Sequence, residues 1–227
     1  PLDGGPAIIP CAVRSLYANP PAPLQRAGVE RPLDLGVKAL NALLTCGEGQ
    51  RVAIMAGSGV GKSTLMGMIA RHTQADINVI ALIGERGREV RHFIEKDLGP
   101  EGLKRSIVVA ATSDQSPLVR MRGAYLATAL AEHFRDEGKK VVLMMDSVLK
   151  FAIGACANRR FHSINSGANS GTDHSASCLC AFARLQTACH TLSSSSQRTI
   201  PRYSGFEAAS RTSFSSRINS SQIMSIN

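Results

Sequence analysis

The chain has 227 residues, 44% of them hydrophobic, with a net charge of +9 and six cysteines. That length suits one domain of ordinary size, or one domain with an appendage. No apolar run approaches a membrane span, no charged-then-apolar leader opens the chain, and the cysteines match no zinc spacing, Cys178-x-Cys180 being one residue too tight.

Residues 1 to 33 carry seven prolines (Pro1, Pro6, Pro10, Pro20, Pro21, Pro23 and Pro32) and few periodic apolar positions. They read as an extended connector to something upstream, with a short strand at best, and Pro1 in place of Met reads as a fragment or a processed start. The pattern Leu35, Val37, Leu40, Leu43, Leu44 predicts a short amphipathic helix that ends at Thr45-Cys46-Gly47. A predicted strand follows over Val52–Ala56, then the loop Ala56-Gly-Ser-Gly-Val-Gly-Lys-Ser-Thr64, then an apolar-periodic helix from Leu65 to Ala70.

Strand, glycine loop and helix form a phosphate cradle. Gly57, Gly59 and Gly61 let the backbone bend so that N–H groups, including those of Ser58, Val60 and Thr64, can turn inward, and the helix start adds its partial positive charge. Lys62 would reach the β- and γ-phosphates of a nucleotide such as ATP, and the Ser63 hydroxyl would take one site on the bridging Mg²⁺. The strict pattern has glycine where this chain has Ala56. A merely flexible turn would explain the glycines, but not Lys-Ser-Thr at the point where a helix begins.

Ile77–Ile83 is a continuous apolar run, as expected of a strand buried on both faces, and it stops at Gly84-Glu85-Arg86-Gly87. One helix is predicted over 88–98, with Val90, Phe93, Ile94 and Leu98 on one side. A strand over Ser106–Ala111 leads to a helix capped by Ser116 with Pro117 first, which runs to about Glu137 and stops at Gly138. The fourth strand, Val141–Met145, closes on Asp146. Strands alternating with helices predict an α/β fold, a mostly parallel sheet covered on both faces, with ligand beyond the strands' carboxyl ends.

Three of those ends carry candidate chemistry: the glycine loop, Glu85-Arg86 and Asp146. Asp146 suits Mg²⁺ or its waters, and equally a helix N-cap. Glu85 suits polarising an attacking water, or pairing with Arg86 or Arg88 at the surface. Arg86 suits contact with phosphate or tying Glu85 in place, and the sequence does not choose.

The loop, Ala81-Leu-Ile-Gly-Glu-Arg-Gly-Arg-Glu-Val90, Phe93-Ile-Glu-Lys-Asp-Leu-Gly99 and Val142-Leu-Met-Met-Asp-Ser147 together resemble the flagellar and type III secretion export ATPases, relatives of the rotary ATP synthase α and β subunits. The resemblance spans about Pro1 to Phe151 and also covers Ala56, an alanine that this family places there. It implies a RecA-like P-loop core, incomplete here, over residues 34–152, with 1–33 leading from a missing N-terminal β-barrel domain. It implies that Lys62 and Ser63 hold phosphate and Mg²⁺, that Glu85 is the catalytic carboxylate, Arg86 a phosphate-side arginine and Asp146 the metal-side acid. It further implies a homo-hexamer in the cytoplasm, peripheral to the inner membrane through the export gate. Its partners would be stalk and regulator proteins and chaperoned export substrates, not nucleic acid. A rotary ATP synthase subunit is the alternative within the fold; an RNA translocase would need an upstream RNA-binding domain, and an inactive product is the third reading.

After Val148 the family pattern would continue Thr-Arg, and this chain has Leu149-Lys150; from about Gly154 nothing matches. Residues 151–227 hold 17 serines and seven arginines, with no lysine and two acids, so most of the basic excess belongs to this tail. Such a composition supplies no packed core, and residues 153–227 are expected to be disordered. Of a genuine tail, a divergent domain and translation in a shifted reading frame, the abrupt onset favours the last.

Overall fold

The computed structural model describes residues 5, 7–8, 12–18, 22, 24, 28–57, 59–165, 211–214 and 223–225. Its elements are β1 (Ala12–Ser15), α1 (Lys38–Leu43), α2 (Lys62–His72), β2 (Ile77–Ile83), α3 (Gly87–His92), a π-helical turn (Phe93–Leu98), α4 (Gly99–Leu103), β3 (Ser106–Ala111), α5 (Pro117–Asp136), β4 (Val141–Asp146), α6 (Val148–Asn165), β5 (Arg211–Phe214) and β6 (Ile223–Ser225). The main sheet runs β4-β2-β3-β6 with every pairing parallel, and β1 pairs antiparallel with β5. No helix among the described residues is long and apolar enough to cross a membrane.

The strand alternation divides the core into two layers. Val79, Ala81 and Ile83 of β2 and Ile107, Val109 and Ala111 of β3 face Ala124, Ala127, Leu130, Ala131 and Phe134 of α5 and Phe151 of α6. Ile80, Leu82, Val108 and Ala110 point the other way, onto Met66, Ile69 and Ala70 of α2 and onto Val90, Phe93 and Leu98. Helices thus cover both faces, as continuous apolar strands require. Alanines on α5 let that helix sit close to the sheet, and β1 is tied to the same helix by Arg14, 2.8 Å from Asp136 and 3.3 Å from Glu132.

The register aligns the strand ends that matter. Ile83 lies beside Ala111 and Leu82 beside Asp146. The Gly84 N–H donates to the Ala111 carbonyl at 2.6 Å, and the Ser113 N–H donates to the Glu85 carbonyl at 2.9 Å. The cap at Ser116 forms as expected, its hydroxyl accepting from the Val119 N–H at 3.4 Å. Gly138, at φ 82°, ends the following helix.

Three expectations are corrected. Residues 52–56 lie outside any strand or helix, with Val52 54% and Met55 90% exposed. Strand status needs a neighbour, and among the described residues β4 pairs with β2 alone and nothing pairs with 52–56. Leu35 and Val37 are buried ahead of α1 rather than within it, while Leu43 is 80% exposed. The single helix expected over 88–98 is two pieces, α3 and the π-helical turn, with α4 following directly, and Val90, Phe93 and Leu98 still reach the core.

Gly67 shows how tightly that broken helix is packed. A Cβ at this position of α2 would sit 2.4 Å from the Asp97 carbonyl oxygen. Gly67→Ala is therefore expected to destabilise by about 1–3 kcal/mol, overriding alanine's better helix propensity. Thermal unfolding of the two proteins measures it.

The helix α6 continues past the tail boundary placed at residue 153. Beyond α6 the described residues are those of β5 and β6, and the expectation of disorder elsewhere in the tail falls outside the described residues.

Candidate functional site

The carboxyl ends of β2 and β4 and the start of α2 surround one cleft of about 790 Å³. Its lining includes Gly57, Gly59, Gly61, Lys62, Ser63, Thr64, Glu85, Arg86, Asp146 and Lys150. The volume falls within the range that holds small-molecule ligands.

The loop is shaped by two glycines in the left-handed region, Gly59 at φ 77° and Gly61 at φ 98°. Residues with a Cβ adopt such angles only under strain. Gly61 is also the N-cap of α2, and the first bond of that helix runs from the Leu65 N–H to the Gly61 carbonyl at 2.9 Å. The N–H groups before it lack intrahelical partners, so the helix start offers them to an anion. A Cβ on Gly59 or Gly61 would meet no protein atom within 4 Å, so the space beside the loop is open.

Lys62 and Asp146 meet there: Nζ lies 2.5 Å from Oδ1, with the lysine side chain 31% and the aspartate 8% exposed. Asp146 thus sits beside the loop lysine rather than at the surface. Ser63 lines the same cleft from the first turn of α2. Among the described residues no group of three or more His, Cys, Asp or Glu could hold a metal. A hydroxyl and one carboxylate suit Mg²⁺, which keeps waters and takes its other ligands from phosphate. The open amide loop, a lysine and this oxygen pair fit a Mg-nucleotide.

Glu85 projects from the end of β2 and its partner is neither Arg86 nor Arg88. Lys150 Nζ, from the first turn of α6, lies 2.6 Å from Glu85 Oε1. Burial pushes the Glu85 carboxyl above its ordinary value; the Lys150 ammonium opposes that shift, while the Glu89 and Asp146 carboxylates reinforce it. Glu89, one turn along, accepts a hydrogen bond from Glu85 and is held below the ordinary range.

Arg86 is exposed, lines the cleft and donates its backbone N–H to Glu89 Oε2 at 3.4 Å, without an ion pair to Glu85 among the described contacts. Val60 is 72% exposed and is not among the residues lining the cleft. Ser58 lies outside the described residues. Sequence reasoning missed Glu89 and Lys150. Spacing carried a partial signal for Glu89, four residues from Glu85 at a helix start, whereas Lys150 is 65 residues from Glu85 and meets it only through the fold.

The chain is 59% identical over 155 residues to the flagellum-specific ATP synthase of Bacillus subtilis, covering 67% of this chain and 35% of the relative. It is 56% identical over 152 residues to the type 3 secretion system ATPase of Xanthomonas euvesicatoria, covering 67% and 34%. A solved prototypical ATPase from the type III secretion system of pathogenic bacteria superposes with a TM-score of 0.66 at 46% identity, covering 78% of this chain and 49% of that one. The assembled ATPase EscN in complex with its central stalk EscO from enteropathogenic E. coli gives 0.65 at 46% identity, covering 77% and 42%. The chain thus spans about a third of the length of the curated relatives it matches. The family model of the ATP synthase alpha/beta family, nucleotide-binding domain, matches residues 36–159, and the chain belongs to that family.

Proposed function

We propose that this chain binds Mg-ATP in the cleft and hydrolyses it to ADP and phosphate, as the nucleotide-binding core of a subunit that energises flagellar or type III protein export. The carrying observation is the convergence of the glycine loop, Lys62, Glu85 and Asp146 on one cleft. The loop amides and Lys62 hold the β- and γ-phosphates, Ser63 and Asp146 hold Mg²⁺ or its waters, and Arg86 is the phosphate-side arginine. Bound Mg²⁺ supplies charge neutralisation on the leaving β-phosphate. Glu85 orients water for in-line attack on the γ-phosphorus and accepts a proton as the new P–O bond forms and the γ–β bridge breaks toward ADP.

The export role draws on the names of the relatives. One is a type 3 secretion system ATPase, and another was solved assembled with its central stalk. By the same likeness we infer a homo-hexamer with stalk, regulator and chaperoned-substrate partners, at the cytoplasmic side of the inner membrane. Identities of 56–59% to export proteins favour this over a rotary synthase subunit.

Phosphate release by the full chain across pH tests the role of Glu85. A raised pKa keeps this carboxyl protonated where a free glutamate is already ionised, and a base works only when ionised. Turnover is therefore expected to rise with pH along a limb lying above the ordinary glutamate value of about 4.3. A limb at or below that value, or no phosphate release, contradicts the assignment.

A further inference from the structure

We propose that residues 12–17 form a clasp on α5 whose docking is coupled to nucleotide occupancy of the cleft, so that each favours the other. This rests on reading the cleft as a Mg-nucleotide site.

The clasp has an ionic end and an aromatic end. Arg14 lies 2.8 Å from Asp136 and 3.3 Å from Glu132, whose side chain is only 6% exposed. Three residues on, Tyr17 meets Tyr125 edge-on with ring centroids 5.1 Å apart. The segment therefore runs along α5 in the opposite direction, and Leu16, between the two anchors, is buried in the same core layer as Phe151. Along Ala12–Ser15 it also pairs with β5.

The aromatic end leads to the cleft. Tyr125 in turn meets Phe151 with ring centroids 5.9 Å apart and planes at 85°. Phe151 is fully buried, and its N–H donates to the Ser147 carbonyl at 3.1 Å. Ser147 and Lys150, just before it in the chain, line the cleft beside Asp146. Three rings in edge-to-face contact thus connect the clasp to the first turn of α6, and close-packed side chains pass on a displacement rather than absorb it.

Coupling needs two states, and the clasp supplies them. Arg14 is 28% and Tyr17 47% exposed, and a two-stranded pairing such as β1 with β5 is marginal by itself, so opening 12–17 costs less than unfolding the core. When the clasp opens, Leu16 leaves the core layer and Tyr125 loses the ring packed on it, which releases Phe151 and the first turn of α6 from their present position. The cleft described above is the cleft of the docked clasp. A nucleotide that fits it binds the docked form more tightly and holds the clasp shut, and release of the clasp weakens the nucleotide by the same factor.

The test uses the full chain, as wild type and as the Arg14→Gln/Tyr17→Leu double variant, which removes both anchors and keeps the clasp apolar. Hydrogen exchange of the 12–17 amides, read by mass spectrometry, is expected to slow about 5-fold in the wild type when saturating Mg-ADP is added, and calorimetry is expected to show Mg-ADP bound about 5-fold more weakly by the double variant. Tyr17→Leu alone, at a half-exposed position that leaves the fold intact, is expected to give a smaller loss in the same direction. Unchanged exchange over 12–17 in a wild type that binds Mg-ADP, or equal affinity in wild type and double variant, overturns the coupling and leaves the functional reading standing. Slowing of the same size in α1, which does not line the cleft, also overturns it, because Mg-ADP then steadies the whole fold rather than the clasp. No binding of Mg-ADP by the wild type overturns both.

Discussion

Lys62→Ala lowers Mg-ATP turnover at least about 100-fold, with the fold intact by circular dichroism. Two losses act together. The variant removes a charge-assisted bond to phosphate, worth about 1.5–3 kcal/mol, or roughly 10- to 150-fold in binding. It also strips Asp146, whose side chain is 8% exposed, of its cation at 2.5 Å, so an uncompensated carboxylate faces the incoming triphosphate. Loss of transition-state stabilisation comes on top, since a cationic donor at the transferred phosphoryl group counts most when charge develops there. Stability changes little by comparison: Lys62 is 31% exposed, and partly exposed ion pairs contribute on the order of 1 kcal/mol or less.

Glu85→Gln separates chemistry from binding. The amide keeps the shape but cannot accept a proton, so turnover falls about 100- to 10,000-fold. Nucleotide affinity stays within a few-fold, because the loop and Lys62 are untouched and one partly buried negative charge has left the cleft. Single-turnover phosphate release, run beside binding of a fluorescent ADP, reads both quantities. Equal turnover in wild type and variant removes Glu85 from the mechanism.

Most of the sheet was legible because its strands declare themselves. Ile77–Ile83, Ser106–Ala111 and Val141–Asp146 are short apolar runs that end in polar or glycine residues, and all three form strands. Val52–Ala56 has the same local signature and does not, because pairing rather than propensity decides a strand. The change to a π-helical turn midway through 88–98 carries no local signal: that turn packs against α2, where a Cβ on Gly67 would meet the Asp97 carbonyl, 30 positions away. At the site, strand ends predicted that Lys62, Glu85 and Asp146 would meet. The specific pairings, Lys62 with Asp146 and Glu85 with Lys150, depend on where α2 and α6 land on the sheet, which no local pattern carries.

The central claim is that the loop from Gly57 to Thr64 is a phosphate cradle completed by Lys62. Calorimetric titration of ATP, with Mg²⁺ present, into the full chain and into Lys62→Ala tests it most directly. Saturable binding by the wild type, weakened at least about 10-fold in the variant, is the result expected from the lost charged contact. Equal affinity in both proteins, or no saturable binding by the wild type, would contradict it.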